Sequence, residues 1–256
     1  MKRFHGGAAM TAGIFAIVSL LTVFAAFLSG VFGMAGGMVL MGALLLLMPV
    51  SAAMVVQSVA LLASNVWRAV LWRAHTDWRI VGRFAMGAAV AFALMFSVRF
   101  VPSRSLALIV LGLSPFIALA VPARLAPQAE RRMAAEICGF VCQVMHLLSG
   151  VTGPLLDIFF VRSTTMDRRT VVATKATCQV LGHASKLAYF GGALGAAELS
   201  AQWWHWVAII GCAVVGTSLS RAVLERITDA QFRRWTRTIV LGIGTVYLIQ
   251  GVASMM

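Results

Sequence analysis

A stripe of polar side chains that includes two lysines runs along one predicted helix in the second half of the chain. Lys175, Gln179, His183 and Lys186 are spaced i, i+4, i+8 and i+11. At roughly 100° per residue, these four positions fall within about 80° of one another and share one helix face. Ammonium, amide and imidazole groups on one face supply the positive charge and the N–H donors that bind an anion. The spacing therefore predicts an anion-binding helix.

A related stripe lies 118 positions earlier in the chain. Its members, in the same order, are Gln57, Leu61, Asn65 and Arg68. Arg68 stands beside Trp67 and close to Trp72, so an arginine that anchors a helix end at a membrane interface is an equally good interpretation of this residue. Lys186 has Tyr189 nearby, and the same anchoring role competes with ligand binding there. The two related stripes predict that two helices point their polar faces at one site.

A glycine-containing segment precedes each of these helices. Leu28-Ser-Gly-Val-Phe-Gly33 returns 120 positions later as Leu148-Ser-Gly-Val-Thr-Gly153. Glycine lets a backbone turn, and the free N–H groups at the start of a half-helix favour negative charge. We therefore predict two broken helices that complete the anion site, although Gly33-x-x-x-Gly37 also fits close helix packing. The residues of the breaks are Gly30, Gly33, Gly36 and Gly37 in the first and Gly150, Gly153 and the first-turn proline Pro154 in the second.

Two further ionisable residues lie in the apolar segments around the second break. Asp157 follows the break, and an ion pair with Lys175 or Arg162 competes equally with a proton-carrying role. His146 precedes the break, where a histidine satisfied within the helix bundle and a functional histidine are equally good interpretations. A charged side chain inside a bilayer costs ~2.5–3.5 kcal/mol on insertion scales. We therefore expect Lys175, His183, Lys186 and Asp157 to be functional.

Composition indicates that these helices lie in a membrane. Hydrophobic residues make up 61% of the 256 residues and charged residues only 11%, and the mean hydropathy is +0.91. This is more apolar surface than a soluble domain can bury, and long apolar runs in a bilayer must be helical. The net charge of +13 would suggest a nucleic-acid partner in a soluble protein. We assign it to arginines and lysines at helix ends, and expect no nucleic-acid partner.

The apolar runs predict about eight transmembrane helices in two groups of four. We join 11–48 and 134–161 each into one broken or re-entrant element, and interpret 11–29 as an uncleaved first helix. The expected organisation is a first transmembrane repeat over 1–121, a linker over 122–133 and a second repeat over 134–256. An even number of crossings in each half makes the repeats parallel, related by an axis along the membrane normal. The four cysteines lie in apolar runs without metal-binding spacing, so we expect neither metal nor cofactor.

Several of these motifs together resemble the TauE/SafE sulfite exporter family, over nearly the whole chain. The segments concerned are Leu28-Ser-Gly-Val-Phe-Gly-Met-Ala-Gly-Gly37 with Pro49 after it, Asp77-Trp78, Gly150-Val-Thr-Gly-Pro154, Val171-Val-Ala-Thr-Lys-Ala-Thr-Cys-Gln179 and His183-Ala-Ser-Lys-Leu-Ala-Tyr-Phe-Gly191. Pro154-Leu-Leu-Asp157 departs from the family pattern, which has a glycine pair here. The resemblance implies a secondary transporter of sulfite, thiosulfate or organosulfonates in the bacterial inner membrane.

We therefore predict a non-enzymatic anion transporter that is either passive or coupled to protons. Asp157 is the first choice of proton carrier and His183 the second. The expected substrate-binding residues are Gly33, Gly36, Gly37, Gln57, Asn65, Gly153, Lys175, Gln179, His183 and Lys186. The expected partners are a small anion and the lipid bilayer, and a homo-oligomer is left open. Three alternatives stay open: a carrier of another anion such as a carboxylate, a membrane redox protein with His146 and His183 as haem ligands, and an assembly or chaperone subunit that binds no anion.

Overall fold

The computed structural model describes residues 8–32, 35–121, 131, 133–160, 166–193, 199–224 and 229–255. In this part of the chain the elements are α1 (Ala12–Phe32), α2 (Ala35–Leu47), α3 (Val50–Leu71), α4 (Trp78–Val98), α5 (Arg104–Ala120), α6 (Ala134–Ser149), α7 (Gly153–Phe160), α8 (Arg168–Leu187), α9 (Trp203–Leu224) and α10 (Asp229–Ala253). A 3₁₀ turn (Arg73–His75) follows α3, and a π-helical turn (Ala188–Ala193) follows α8. The short strands β1 (Ala8–Ala9) and β2 (Leu199–Ser200) pair in parallel.

The described chain is helical, as predicted, and several of its helices have the length and composition of membrane spans. Five reach that standard: Ala12–Phe32, Val50–Leu71, Trp78–Val98, Trp203–Ser220 and Arg234–Ala253. Shorter apolar helices cover Ala35–Leu47, Arg104–Ala120 and Ala134–Ser149. The all-α class is thus confirmed, whereas the count of about eight transmembrane helices and the repeat stay predictions.

The first glycine segment spans the end of α1 and the start of α2. Helix α1 continues through Gly30, where a side chain would collide with Ser220 of α9, so Gly30 is a packing residue within the helix. Helix α1 ends at Phe32 and α2 begins at Ala35, and residues 33–34 between them lie outside the described residues. Helix α2 then packs back against α1, and a side chain on Gly36 would collide with Ala25 and Ser29. The element expected over 11–48 is therefore two helices in contact.

The second break has the predicted local structure. Helix α6 ends at Ser149, and Gly150 follows with φ +79°, a left-handed conformation in which glycine is least strained. Helix α7 begins at Gly153 with Pro154 in its first turn, where a proline needs no N–H partner. Val151 and Thr152 form the non-helical link, and both are buried. The backbone of the second break is therefore enclosed by protein, as irregular backbone in a membrane must be.

Helices α4 and α6 cross in close contact at a glycine from each. A Cβ on Gly87 would overlap the Glu136 carbonyl, and a Cβ on Gly139 would overlap the Phe84 carbonyl. Small residues let membrane helices approach in this way and gain packing energy. Beside the crossing, Arg83 Nε and Nη2 donate to the two Glu136 carboxylate oxygens, each at 2.8 Å. Helices α5 and α10 cross similarly at Gly112 and Gly244.

Two aspartates cap the helices that follow them. The Asp77 carboxylate accepts a hydrogen bond from the Arg79 N–H at 3.0 Å at the start of α4, and the Asp167 carboxylate accepts one from the Thr170 N–H at 2.9 Å at the start of α8. Hydrogen bonding from the Thr170 side chain and backbone lowers the pKa of Asp167 below its usual value. The Asp77 N–H also donates to Thr174 Oγ1 at 3.0 Å, which fixes the loop before α4 against α8.

Replacing Gly87 with Ala should destabilise the protein, because the new methyl group must displace the Glu136 backbone. Overpacking of this kind costs about 1–3 kcal/mol. Gly82→Ala in the same helix is the matched control, since no atom lies within 4 Å of the added carbon and alanine favours a helix over glycine by about 1 kcal/mol. Thermal unfolding in detergent should show a lower midpoint for Gly87→Ala only. Equal midpoints for the two variants would contradict the close crossing.

Candidate functional site

A chain of buried hydrogen bonds connects the first and second halves of the molecule next to the breaks. Gln57 Nε2 of α3 donates to the Gly37 carbonyl of α2 at 2.9 Å. Lys186 Nζ of α8 donates to Gln57 Oε1 and, at 3.0 Å, to the Gly150 carbonyl. Gln57 and Lys186 are both 0% exposed. Lys186 is therefore not an interface anchor, and that interpretation is wrong: its charged end joins the two polar stripes.

A small cavity of about 20 Å³ lies beside this chain, enough for about one water molecule. Both breaks and both polar stripes contribute to its wall. The lining residues are Ser29, Gly37, Leu61, Asn65, Arg68, Gly150, Val151, Thr152, Gly153, Gln179 and His183. The structure therefore brings together, around one cavity, segments that are more than a hundred residues apart in the chain.

Half of the predicted substrate-binding residues line the cavity itself. These are Gly37, Asn65, Gly153, Gln179 and His183. Gln57 and Lys186 are bonded to its wall through the Gly37 and Gly150 carbonyls. Gly36 packs against α1, Lys175 is bound to Asp157, and Gly33 lies outside the described residues. A ligand-binding role stays a prediction for every residue in this set.

Lys175 and Asp157 form an ion pair that joins α8 to α7. Their side chains are 22% and 17% exposed, so the pair is largely shielded from the surroundings. Of the two partners expected for Asp157, Lys175 is therefore the one in contact, and Arg162 lies outside the described residues. The positive charge of Lys175 is balanced by a neighbouring carboxylate, which leaves less of it available to an anion in the cavity.

The two histidines near the second break contact each other. His146 Nε2 and His183 Nδ1 are 3.2 Å apart, and both side chains are buried. This hydrogen bond uses a protonated nitrogen of one ring and an unprotonated nitrogen of the other. A metal held between these nitrogens needs bonds of ~2 Å to each, so it would require the rings to separate. The geometry therefore favours a histidine pair over haem ligation between these two rings.

Arg68 and Ser29 line the cavity but are missing from the predicted set. The Arg68 Nη2 atom is buried, and no residue in the described part of the chain accepts a hydrogen bond from it. Its place on the polar stripe, one turn after Asn65, could have predicted this, but the neighbouring tryptophans made an interface anchor an equally good interpretation. For Ser29 the signal was the repeated Leu-Ser-Gly-Val segment. The cavity thus contains an arginine with an unused donor.

Comparison with known proteins agrees with the resemblance seen in the sequence. A family model described as "Sulfite exporter TauE/SafE" matches residues 18–247. The chain belongs to the TauE/SafE sulfite exporter family. No curated protein and no solved structure matches it significantly. Membership in this family, together with the apolar helices, supports transmembrane transport of a small anion by a multi-pass membrane protein.

A double-mutant cycle tests the hydrogen bond between Lys186 and Gln57. We expect Lys186→Met and Gln57→Met to be non-additive by about 1.5–3 kcal/mol, the usual strength of a hydrogen bond to a charged group. The free energy of unfolding in mixed micelles provides the measurement. Lys186→Met combined with Thr238→Ala is the control, since Thr238 is exposed on α10 and bonds only within its own helix. A coupling below about 0.5 kcal/mol in the test pair would mean that this bond contributes nothing specific.

Proposed function

We propose that this protein is a secondary transporter of small sulfur-containing oxyanions, such as sulfite, thiosulfate or an organosulfonate, across the bacterial inner membrane. The observation that carries the proposal is the cavity lined by both glycine breaks and both polar stripes. The family to which the chain belongs supports the class of substrate. Transporter sites typically lie where two repeats and two broken helices meet, and the lining of this cavity comes from both predicted repeats and both predicted breaks.

The side chains around the cavity suit an anion. Gln179 carries two amide N–H donors, and Asn65 has one N–H left beside the one that Nδ2 donates to the Leu61 carbonyl at 2.8 Å. The Gly153 N–H at the start of α7 has no partner within that helix. Lys186 is buried behind the wall and has no acidic partner within the described residues. The positive charge in excess and the neutral donors together favour a bound anion over a bound cation. The cavity must widen to admit an oxyanion, because it now holds about one water.

The packing of the helices supports two repeats, α1–α5 and α6–α10. Helix α1 packs against α9, and α6 packs against α4, which is the same relation after a shift of five helices. Helices α3 and α8, and likewise α5 and α10, pair with each other. We assign the repeats to 1–121 and 134–256, with the linker at 122–133. Movement of one repeat against the other would then open the cavity to alternate sides of the membrane.

Binding of sulfite to purified protein tests this function. Thermal-shift assays with sulfite, thiosulfate, sulfate, sulfoacetate and acetate should rank the sulfur oxyanions first, since a ligand that binds only the folded state stabilises it. Gln179→Ala should weaken sulfite binding about tenfold by removing one charge-assisted hydrogen bond. Gln202→Ala, an exposed amide before α9, is the control and should bind as the wild type does. Equal affinity in Gln179→Ala and the wild type would exclude this cavity as the site.

We further propose that Asp157 carries the coupling proton, because its protonation would release Lys175 from the ion pair. In proteoliposomes, an imposed pH gradient should drive sulfite flux through the wild type. Asp157→Asn should still exchange sulfite for sulfite and no longer respond to the gradient. Glu136→Gln, which removes the acid of a second described ion pair, between α6 and α4, should keep the response. Gradient-driven flux in Asp157→Asn would contradict the assignment, and a wild type indifferent to the gradient would indicate uncoupled transport.

A further inference from the structure

Three cationic side chains stand near the cavity among the described residues, and two of them have partners. Lys175 is paired with Asp157. Lys186 donates to Gln57 Oε1 and to the Gly150 carbonyl. Arg68 lines the cavity, and its buried Nη2 finds no acceptor within the described residues. Arg68 is therefore the cation near this cavity that has a whole buried nitrogen, Nη2, without an acceptor within the described residues.

A buried guanidinium nitrogen without an acceptor is unusual, because an N–H removed from water is normally satisfied by protein or solvent. The acceptor must therefore come from outside the described residues, and the cavity beside Arg68 has room for a small one. An interface anchor would instead extend its charged end away from the bundle. The preceding residues of the same stripe, Leu61 and Asn65, are only 5% exposed. Arg68 follows them on this face and is partly exposed as a whole, but its Nη2 atom is buried.

We propose that Arg68 is the charged residue that binds the transported anion, and that its planar fork selects anions presenting two oxygens over monatomic anions. This inference rests on the cavity being the transport site. Guanidinium groups form two parallel N–H···O bonds with oxyanions, a geometry that an ammonium group cannot reproduce. Gln179 and the second N–H of Asn65, whose Nδ2 also donates to the Leu61 carbonyl, supply further donors for the remaining oxygens.

The charges around Arg68 are consistent with an anion placed there. Arg68 and Lys175 lie on α3 and α8, which pack against each other, and the carboxylate of Asp157 is bound by Lys175. A bound anion would offset this local excess of positive charge. The lysine equivalent to Arg68 in the second repeat, Lys186, is held by neutral oxygens behind the wall. The two equivalent cations therefore have different tasks, one structural and one for the ligand.

Three variants test the proposal with sulfite as the probe. Arg68→Lys keeps the charge and loses the fork, and Arg68→Gln loses both. Arg79→Lys is the matched control, because Arg79 is exposed at the start of α4. By calorimetry on detergent-purified protein, we expect the Kd for sulfite to rise about tenfold in Arg68→Lys, the effect of one charge-assisted hydrogen bond. We expect a still larger rise in Arg68→Gln and no change in Arg79→Lys.

Competition with bromide measures the selectivity. The bromide concentration that displaces half of the bound sulfite should fall about tenfold in Arg68→Lys, since a monatomic anion needs no fork. Unchanged sulfite affinity and unchanged competition in Arg68→Lys would overturn the role of the fork. If Arg68→Gln binds sulfite like the wild type while Gln179→Ala does not, Arg68 is an anchor and the cavity stands as the site. A wild type that binds no sulfite would overturn the proposed function itself.

Discussion

The arrangement of the two breaks depends on the need of a membrane protein to satisfy its buried backbone. Carbonyl groups where a helix is interrupted have no water to bond with in the bilayer interior, and each must find a partner in the protein. The Gly150 carbonyl at the end of α6 finds its partner in Lys186. Lys186 also donates to Gln57, whose Nε2 donates to the Gly37 carbonyl in the first turn of α2. One buried chain of hydrogen bonds therefore joins the start of α2 to the second break and borders the cavity.

Close helix crossings provide the frame around this chain. Lipid does not drive helices together as water does, so their association relies on packing and hydrogen bonds. The crossing of α4 and α6 at Gly87 and Gly139 brings the backbones into contact, and the Arg83–Glu136 pair bonds the same two helices side by side. The second half of the protein is thereby fixed against the first, away from the cavity. If the two halves move during transport, α4 and α6 should move together, because their crossing joins the backbones directly.

The cations near the cavity differ in whether the protein itself supplies their partners. The second stripe holds two lysines, yet one is neutralised by Asp157 and the other is bonded to neutral oxygens. Arg68, from the first stripe, is left to face the cavity. In the proposed site, Arg68 is thus the group without an acceptor among the described residues, and a small oxyanion could bind to it and dissociate again. Tight neutralisation of every cation would remove the attraction that brings an anion into the membrane.

Much of this protein follows from local sequence patterns. The apolar composition determines an all-helical membrane chain, because only helices satisfy the backbone within such long apolar runs. The periodicity of Gln179 and His183 determines that they share a face, and the repeated Leu-Ser-Gly-Val segments identify the region of the two breaks. These inferences use neighbours within a few turns, where helix geometry alone decides which side chains lie together.

The tertiary structure decided the partners of each polar group. Lys186 bonds to Gln57 rather than anchoring at the interface, and Asp157 pairs with Lys175. Gly30 packs a helix rather than turning the chain. Each of these outcomes depends on residues far away in sequence. A helical pattern predicts on which side of its helix a residue lies, but it does not predict which residues of other helices contact it. Desolvation and hydrogen bonding act between facing groups, so the free donor among several cations is known only once the helices are packed.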